Sequence, residues 1–163
     1  WVMRDCGRKD VYAAEAAAFE GTDLELVRSV DEVSSLIEAI VQGPWMPGTQ
    51  LQVIAARRNA VSSSARERAD ASTVIRLAAE QTTIATAAHE LAHALARPGA
   101  GHSSVFLAAY LDVVAVVTNL DSRDRRHGLH VDQLRDALVA AGLVVGARAW
   151  PPPPEASGTA IAL

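Results

Sequence analysis

The chain holds a single cysteine, Cys6, and one thiol can close neither an internal disulfide nor a thiolate metal cluster. Lysine is as scarce: among 15 basic residues only Lys9 is a lysine, a bias that accompanies abundant alanine in GC-rich coding sequences and carries no functional message. Long apolar runs are missing too. None reaches the roughly 18 residues that span a bilayer, and the richest, Val105 to Val117, is interrupted by Asp112. The first residues, Trp1-Val2-Met3-Arg4-Asp5-Cys6, lack the apolar core of a secretory signal, so the expectation is a soluble, cytoplasmic protein without a membrane partner. Nor is there an excess of positive charge. The net charge is −4 and the pI near 5.7, which leaves no global basic field to recruit nucleic acid. The local clusters Arg57, Arg58, Arg66, Arg68 and Arg123, Arg125, Arg126 read as solvated loop charges.

What is present suffices for a core. Half of the 163 residues are hydrophobic, enough for one domain to bury apolar surface without covalent staples. Residues 8–20 suit an alanine-rich helix, with Val11, Ala14, Ala18 and Phe19 at helical spacing. A short extended segment follows around Leu24, Leu26 and Val27. The next helix, over 32–42, carries Val33, Leu36, Ile37, Ile40 and Val41 on one face. Gly43-Pro44-Trp45-Met46-Pro47-Gly48 breaks it, and Trp45 is expected in the core. Residues 50–56 and 73–78 read as strands, separated by a polar loop over 57–71. Three further helices are expected over 82–97, from Ser103 or Ser104 to Val117, and from Val131 to Ala141. The order makes an α+β domain over residues 1–148: a small antiparallel or mixed sheet packed with about five helices. Residues 149–163, beginning the run Pro151-Pro152-Pro153-Pro154, read as a proline-rich, disordered tail.

The third of these helices contains His89-Glu90-Leu91-Ala92-His93. Histidines four apart project from one helical face, so two imidazoles can converge on one ion. The glutamate after the first histidine stands where it can take a proton from a water on that ion. Chance gives this pattern about 0.01 times per chain of this composition. Ile84, Ala88, Leu91 and Leu95 form an apolar stripe well away from both histidines, so the helix can pack on the core while the imidazoles face a cleft. His102 is the candidate third ligand, because Pro98-Gly99-Ala100-Gly101 can reverse the chain over the last turn. Three imidazoles leave the fourth position of a Zn²⁺ ion for water. Asp112, 19 residues beyond His93, is the carboxylate that another layout would use instead.

The arrangement His89-Glu90-Leu91-Ala92-His93, a glycine turn, then His102-Ser103-Ser104-Val105-Phe106 resembles the SprT-like zinc metalloproteases. Over about residues 4–145 the chain is similar to a family of small actinobacterial zinc metallohydrolases, the added matches being Arg4-Asp5, Arg8, Val11-Tyr12-Ala13-Ala14-Glu15 and Pro44-Trp45. The chain departs from that family at Ser103, where glycine is usual. The resemblance implies a zincin-like minimal metalloprotease fold and a zinc-dependent hydrolase, with peptide-bond cleavage suggested by the SprT-like relatives.

The expected mechanism is metal-assisted hydrolysis of an amide bond in a peptide or protein substrate, with His89, His93 and His102 on Zn²⁺ and Glu90 as general base. The strand over 73–78 reads first as an ordinary sheet strand, and as a second reading lends an open edge to an extended substrate. Tyr110, His127 and His130 are candidates to reach over the cleft as oxyanion donors, although each reads first as a structural or solvated residue. The alternative is a non-catalytic zinc-stabilised binding or regulatory module with a partner in the cleft.

Overall fold

A computed structural model describes residues 7–46, 49–120 and 127–154. Its first helix, α1 (Arg8–Phe19), buries Val11, Ala14, Ala18 and Phe19 and ends where Thr22 Oγ1 donates to the Phe19 carbonyl at 2.7 Å. Residues 24–27, expected as extended, instead begin with a single 3-10 turn over Asp23–Glu25. Only Leu24 is anchored in the core, while Leu26 and Val27 are exposed. With no strand beside it to complete its hydrogen bonds, this segment coils. Helix α2 (Val30–Gln42) starts at Ser29, whose side chain accepts from the Glu32 N–H, the usual N-terminal capping arrangement. It buries Val33, Ile37, Ile40 and Val41, and Trp45 enters the core just beyond it.

The sheet has three strands, β1 (Leu51–Ala55), β2 (Ser64–Glu67) and β3 (Thr73–Leu77), in the order β1-β3-β2. β1 runs parallel to β3, with Val53 opposite Ile75, and β2 runs antiparallel to it, with Ala65 opposite Ile75. Two expectations are corrected here. Residues 57–71 are not all loop, since β2 lies within them. Its residues Ser64-Ala65-Arg66-Glu67 are half-buried or exposed, so the strand is held by its ladder to β3 and leaves no apolar alternation to read. And β3, paired on both sides, has no open edge; the edge on the helix α3 side belongs to β2. The turn joining β2 to β3 is closed by Asp70, whose Oδ1 accepts from the Ser72 N–H and Oγ at 3.0 and 2.6 Å.

Helix α3 (Ile84–Ala96) is capped by Thr83, whose side chain accepts from the Thr86 N–H. It is nearly enclosed, with Ile84, Ala85, Ala87, Ala88 and Leu91 in the core. A 3-10 turn over Pro98–Ala100 leads to Gly101 at φ 53°, ψ −137°, a conformation open in practice only to glycine. Helix α4 (Ser104–Leu120) then returns along α3, buried on most of its surface. Helix α5 (His127–Ala140) begins earlier than the expected Val131 and packs on α1 and α4. The whole is a mixed α+β arrangement of five helices and a small mixed sheet. No helix among the described residues is long and apolar enough to cross a membrane.

The segment after α5 straps across α4. The Gly146 N–H bonds the Ser104 carbonyl at 2.9 Å. The Arg148 guanidinium makes two 2.8 Å bonds to the two Asp112 oxygens, and Trp150 Nε1 donates to Oδ2 at 2.9 Å. Trp45 Nε1 donates to the Pro151 carbonyl at 2.9 Å. Trp150 and Pro151, placed in the expected tail, thus make defined contacts; residues 155–163 lie outside the described residues, as do Arg4, Asp5 and Cys6. Asp112 itself is 7% exposed, so removing its carboxylate leaves the strap's donors without an acceptor. Asp112→Ala is expected to cost about 1.5–3 kcal/mol, lowering Tm by roughly 3–10 °C in a thermal melt, with Asp112→Asn intermediate.

Candidate metal centre

His89 and His93 lie one turn apart on α3, and the glycine turn brings His102 to them. His89 Nε2 is 3.2 Å from His102 Nε2 and 3.2 Å from His93 Nε2. All three ligand atoms lie within 4.8 Å of one another. Two nitrogens bound about 2.0–2.1 Å from a tetrahedral ion stand about 3.3 Å apart, so the observed separations suit a shared ion. His89 and His102 are buried and His93 is half-buried.

One of the three rings is oriented by a carboxylate. Glu15, on α1, accepts from His89 Nδ1 at 2.9 Å with both side chains largely out of solvent. That bond commits the ring proton to Nδ1 and turns the Nε2 lone pair toward His93 and His102, the usual second partner of a metal-ligating histidine. Aromatic rings hold the imidazoles from two sides. Phe106, fully buried, stacks on His93 at 4.3 Å between centroids and lies 5.0 and 4.9 Å from His89 and His102. Tyr12 stacks on His89 at 5.4 Å and 7° and leans on His102 at 5.7 Å. Close approach of α1 depends on Gly7: a Cβ there would come within 2.8 Å of the His102 carbonyl oxygen.

Glu90 lines a cleft of about 380 Å³ beside His89, walled by α1, by Ser62 and Ser63 ahead of β2, and by Gln81 and Thr86. Burial raises its pKa, His89 partly offsets this, Glu15 adds to the rise, and the Ala65 N–H on β2 hydrogen-bonds the carboxylate. The Ala65 N–H therefore faces away from β3, along the free edge of the sheet. A carboxyl held above its ordinary range beside a polar cleft is suited to accepting and returning a proton.

Other expected participants stand elsewhere. Asp112 is committed to Arg148 and Trp150 and is no part of the histidine cluster. Tyr110 is wholly buried 5.3 Å from the His89 ring, its hydroxyl pKa driven well up by burial and then by Glu15; it lies behind the histidines and not over the cleft. His130 is buried against Phe19 at 6.3 Å, and the side chain of His127 lies outside the description. What sequence analysis missed is the contribution of α1. Arg8, Tyr12 and Glu15 recur at i, i+4 and i+7, inside a wedge of about 60° on the helical wheel, and a polar stripe on an otherwise alanine helix was the available signal.

Because Glu15 orients His89, Glu15→Ala is expected to weaken zinc binding about 10–100-fold in a chelator competition, with Glu15→Gln losing less. His102→Ala should abolish tight binding in the same assay, whereas Asp112→Ala should retain it.

No family model, curated protein or solved structure matches the chain, so what the site can do follows from its own geometry.

Proposed function

We propose that the protein is a zinc-dependent metallohydrolase that cleaves peptide bonds, with His89, His93 and His102 holding Zn²⁺ and Glu90 as general base. The observation that carries this is the meeting of three imidazole nitrogens, those of His93 and His102 each 3.2 Å from that of His89, with the Glu90 carboxylate facing the adjoining cleft. A zinc ion bound there would polarise a carbonyl and lower the pKa of water to about 7. The protein's own groups do the rest. Glu15 keeps His89 in the ligating tautomer, and the rings of Phe106 and Tyr12 restrict the imidazoles to one arrangement. Glu90 takes a proton from the attacking water and delivers it to the leaving amine. The edge of β2 runs beside Glu90 and offers main-chain groups to an extended backbone, the part first expected of residues 73–78. A zincin-like fold, with the motif helix beside the edge of a small mixed sheet, goes with this function, and the resemblance to SprT-like proteases points the same way.

Glu90→Gln separates an enzyme from a zinc-stabilised binding module. In the zinc-loaded protein it should lower hydrolysis of a casein or peptide-library substrate about 10²–10⁴-fold, with zinc content by elemental analysis and Tm held. Equal activity in the two proteins would remove Glu90 from the chemistry, and no activity in either would favour the module.

A further inference from the structure

Every residue lining the cleft carries a polar group: apart from Tyr12 these are hydroxyls, an amide, two carboxylates, an imidazole and one guanidinium, that of Arg8. Charged groups placed in a cleft discriminate among ligands by charge. Its carboxylates have assignments: Glu15 is bonded to His89, and Glu90 faces the reacting centre. Arg8 closes no ion pair among the described residues. It is exposed, and its charge reaches Glu90 only through space, where it favours the ionised carboxylate.

Arg8 is nevertheless held in place. Its guanidinium carbon lies 5.5 Å from the centre of the Tyr12 ring, and that ring is itself stacked on His89 at 5.4 Å. A cation–π contact takes up none of the guanidinium's N–H donors, which can bind a carboxylate through two parallel hydrogen bonds. These two steps reach at most about 11 Å from Arg8 to the His89 ring, which an extended peptide covers in about three residues at about 3.3–3.6 Å each, or two where the steps are not collinear.

We propose that Arg8 is a specificity residue that recognises a substrate carboxylate two to three residues from the scissile bond. This rests on the peptidase function above. The carboxylate has two possible sources, an Asp or Glu side chain or a free C-terminus, and both fit the same guanidinium.

The test compares kcat/KM of the zinc-loaded full chain on an internally quenched alanine-glycine peptide in which one Glu, or Gln at the same place, is walked along the sequence. The same peptide is also made as C-terminal acid and amide. Glu should be preferred over Gln about ten- to hundredfold at one position two or three residues from the cut. A preference confined to acid over amide assigns the terminal carboxylate instead. Arg8→Gln should bring the ratio close to one, Arg8→Lys should keep part of it, and Arg8→Glu should turn the preference toward a Lys peptide. Because the readout is a ratio, a general loss of folding or zinc does not mimic the effect. A wild-type ratio near one on every arm, or a ratio that survives Arg8→Gln, would overturn the assignment. Calorimetric binding of the Glu and Gln peptides to the Glu90→Gln protein separates the two levels. Arg8-dependent discrimination there, without hydrolysis by wild type, keeps the recognition role and discards the peptidase; hydrolysis without discrimination does the reverse.

Discussion

The hydrogen bond between Glu15 and His89 ties together parts of the chain that share no sequence proximity. It joins the first helix to the helix carrying the histidine motif, across 74 positions, and it decides which nitrogen of His89 faces the other two rings. Burial gives it weight. In a poorly solvated pocket a carboxylate and three imidazoles must satisfy one another or unfold the surroundings. Adding Glu90 makes a cluster of two carboxyl groups and three imidazoles within one small region.

Helix α3 serves both requirements through its composition. Alanines at 85, 87, 88 and 92 let α4 and the sheet approach closely, so that the histidines are flanked by rigid elements on several sides and not carried on a free surface. The sequence pattern anticipated an apolar stripe with imidazoles pointing to an open cleft. What folds is a nearly enclosed helix, with Tyr12 lying over His89 and Glu90 left to meet the cleft.

The parts of this arrangement differ in how well they could be read in advance. His89, Glu90, His93 and His102 were legible because the helical repeat and a glycine turn constrain where such side chains can go. The helices were legible through their periodicity and caps, as at Ser29 and Thr83. β2 was not, because a solvated strand held only by its neighbour leaves no hydrophobic trace, and without β2 the order of the sheet could not be deduced. β3 therefore seemed to have an edge to spare. Glu15 and Asp112 show a related limit: a carboxylate's partner lies far along the chain, and nothing local distinguishes one that orients a histidine from one that grips an arginine.

The strap across α4 has a consequence for biosynthesis. Every group described around the three imidazoles, from Gly7 to Tyr110, precedes Arg148, which neutralises Asp112, and Trp150, which hydrogen-bonds it. A chain emerging from the ribosome thus carries its complete set of nitrogen donors, ending at His102, well before Arg148 brings the acid on α4 its counter-charge. In vectorial order, the chemistry comes first and the clasp last.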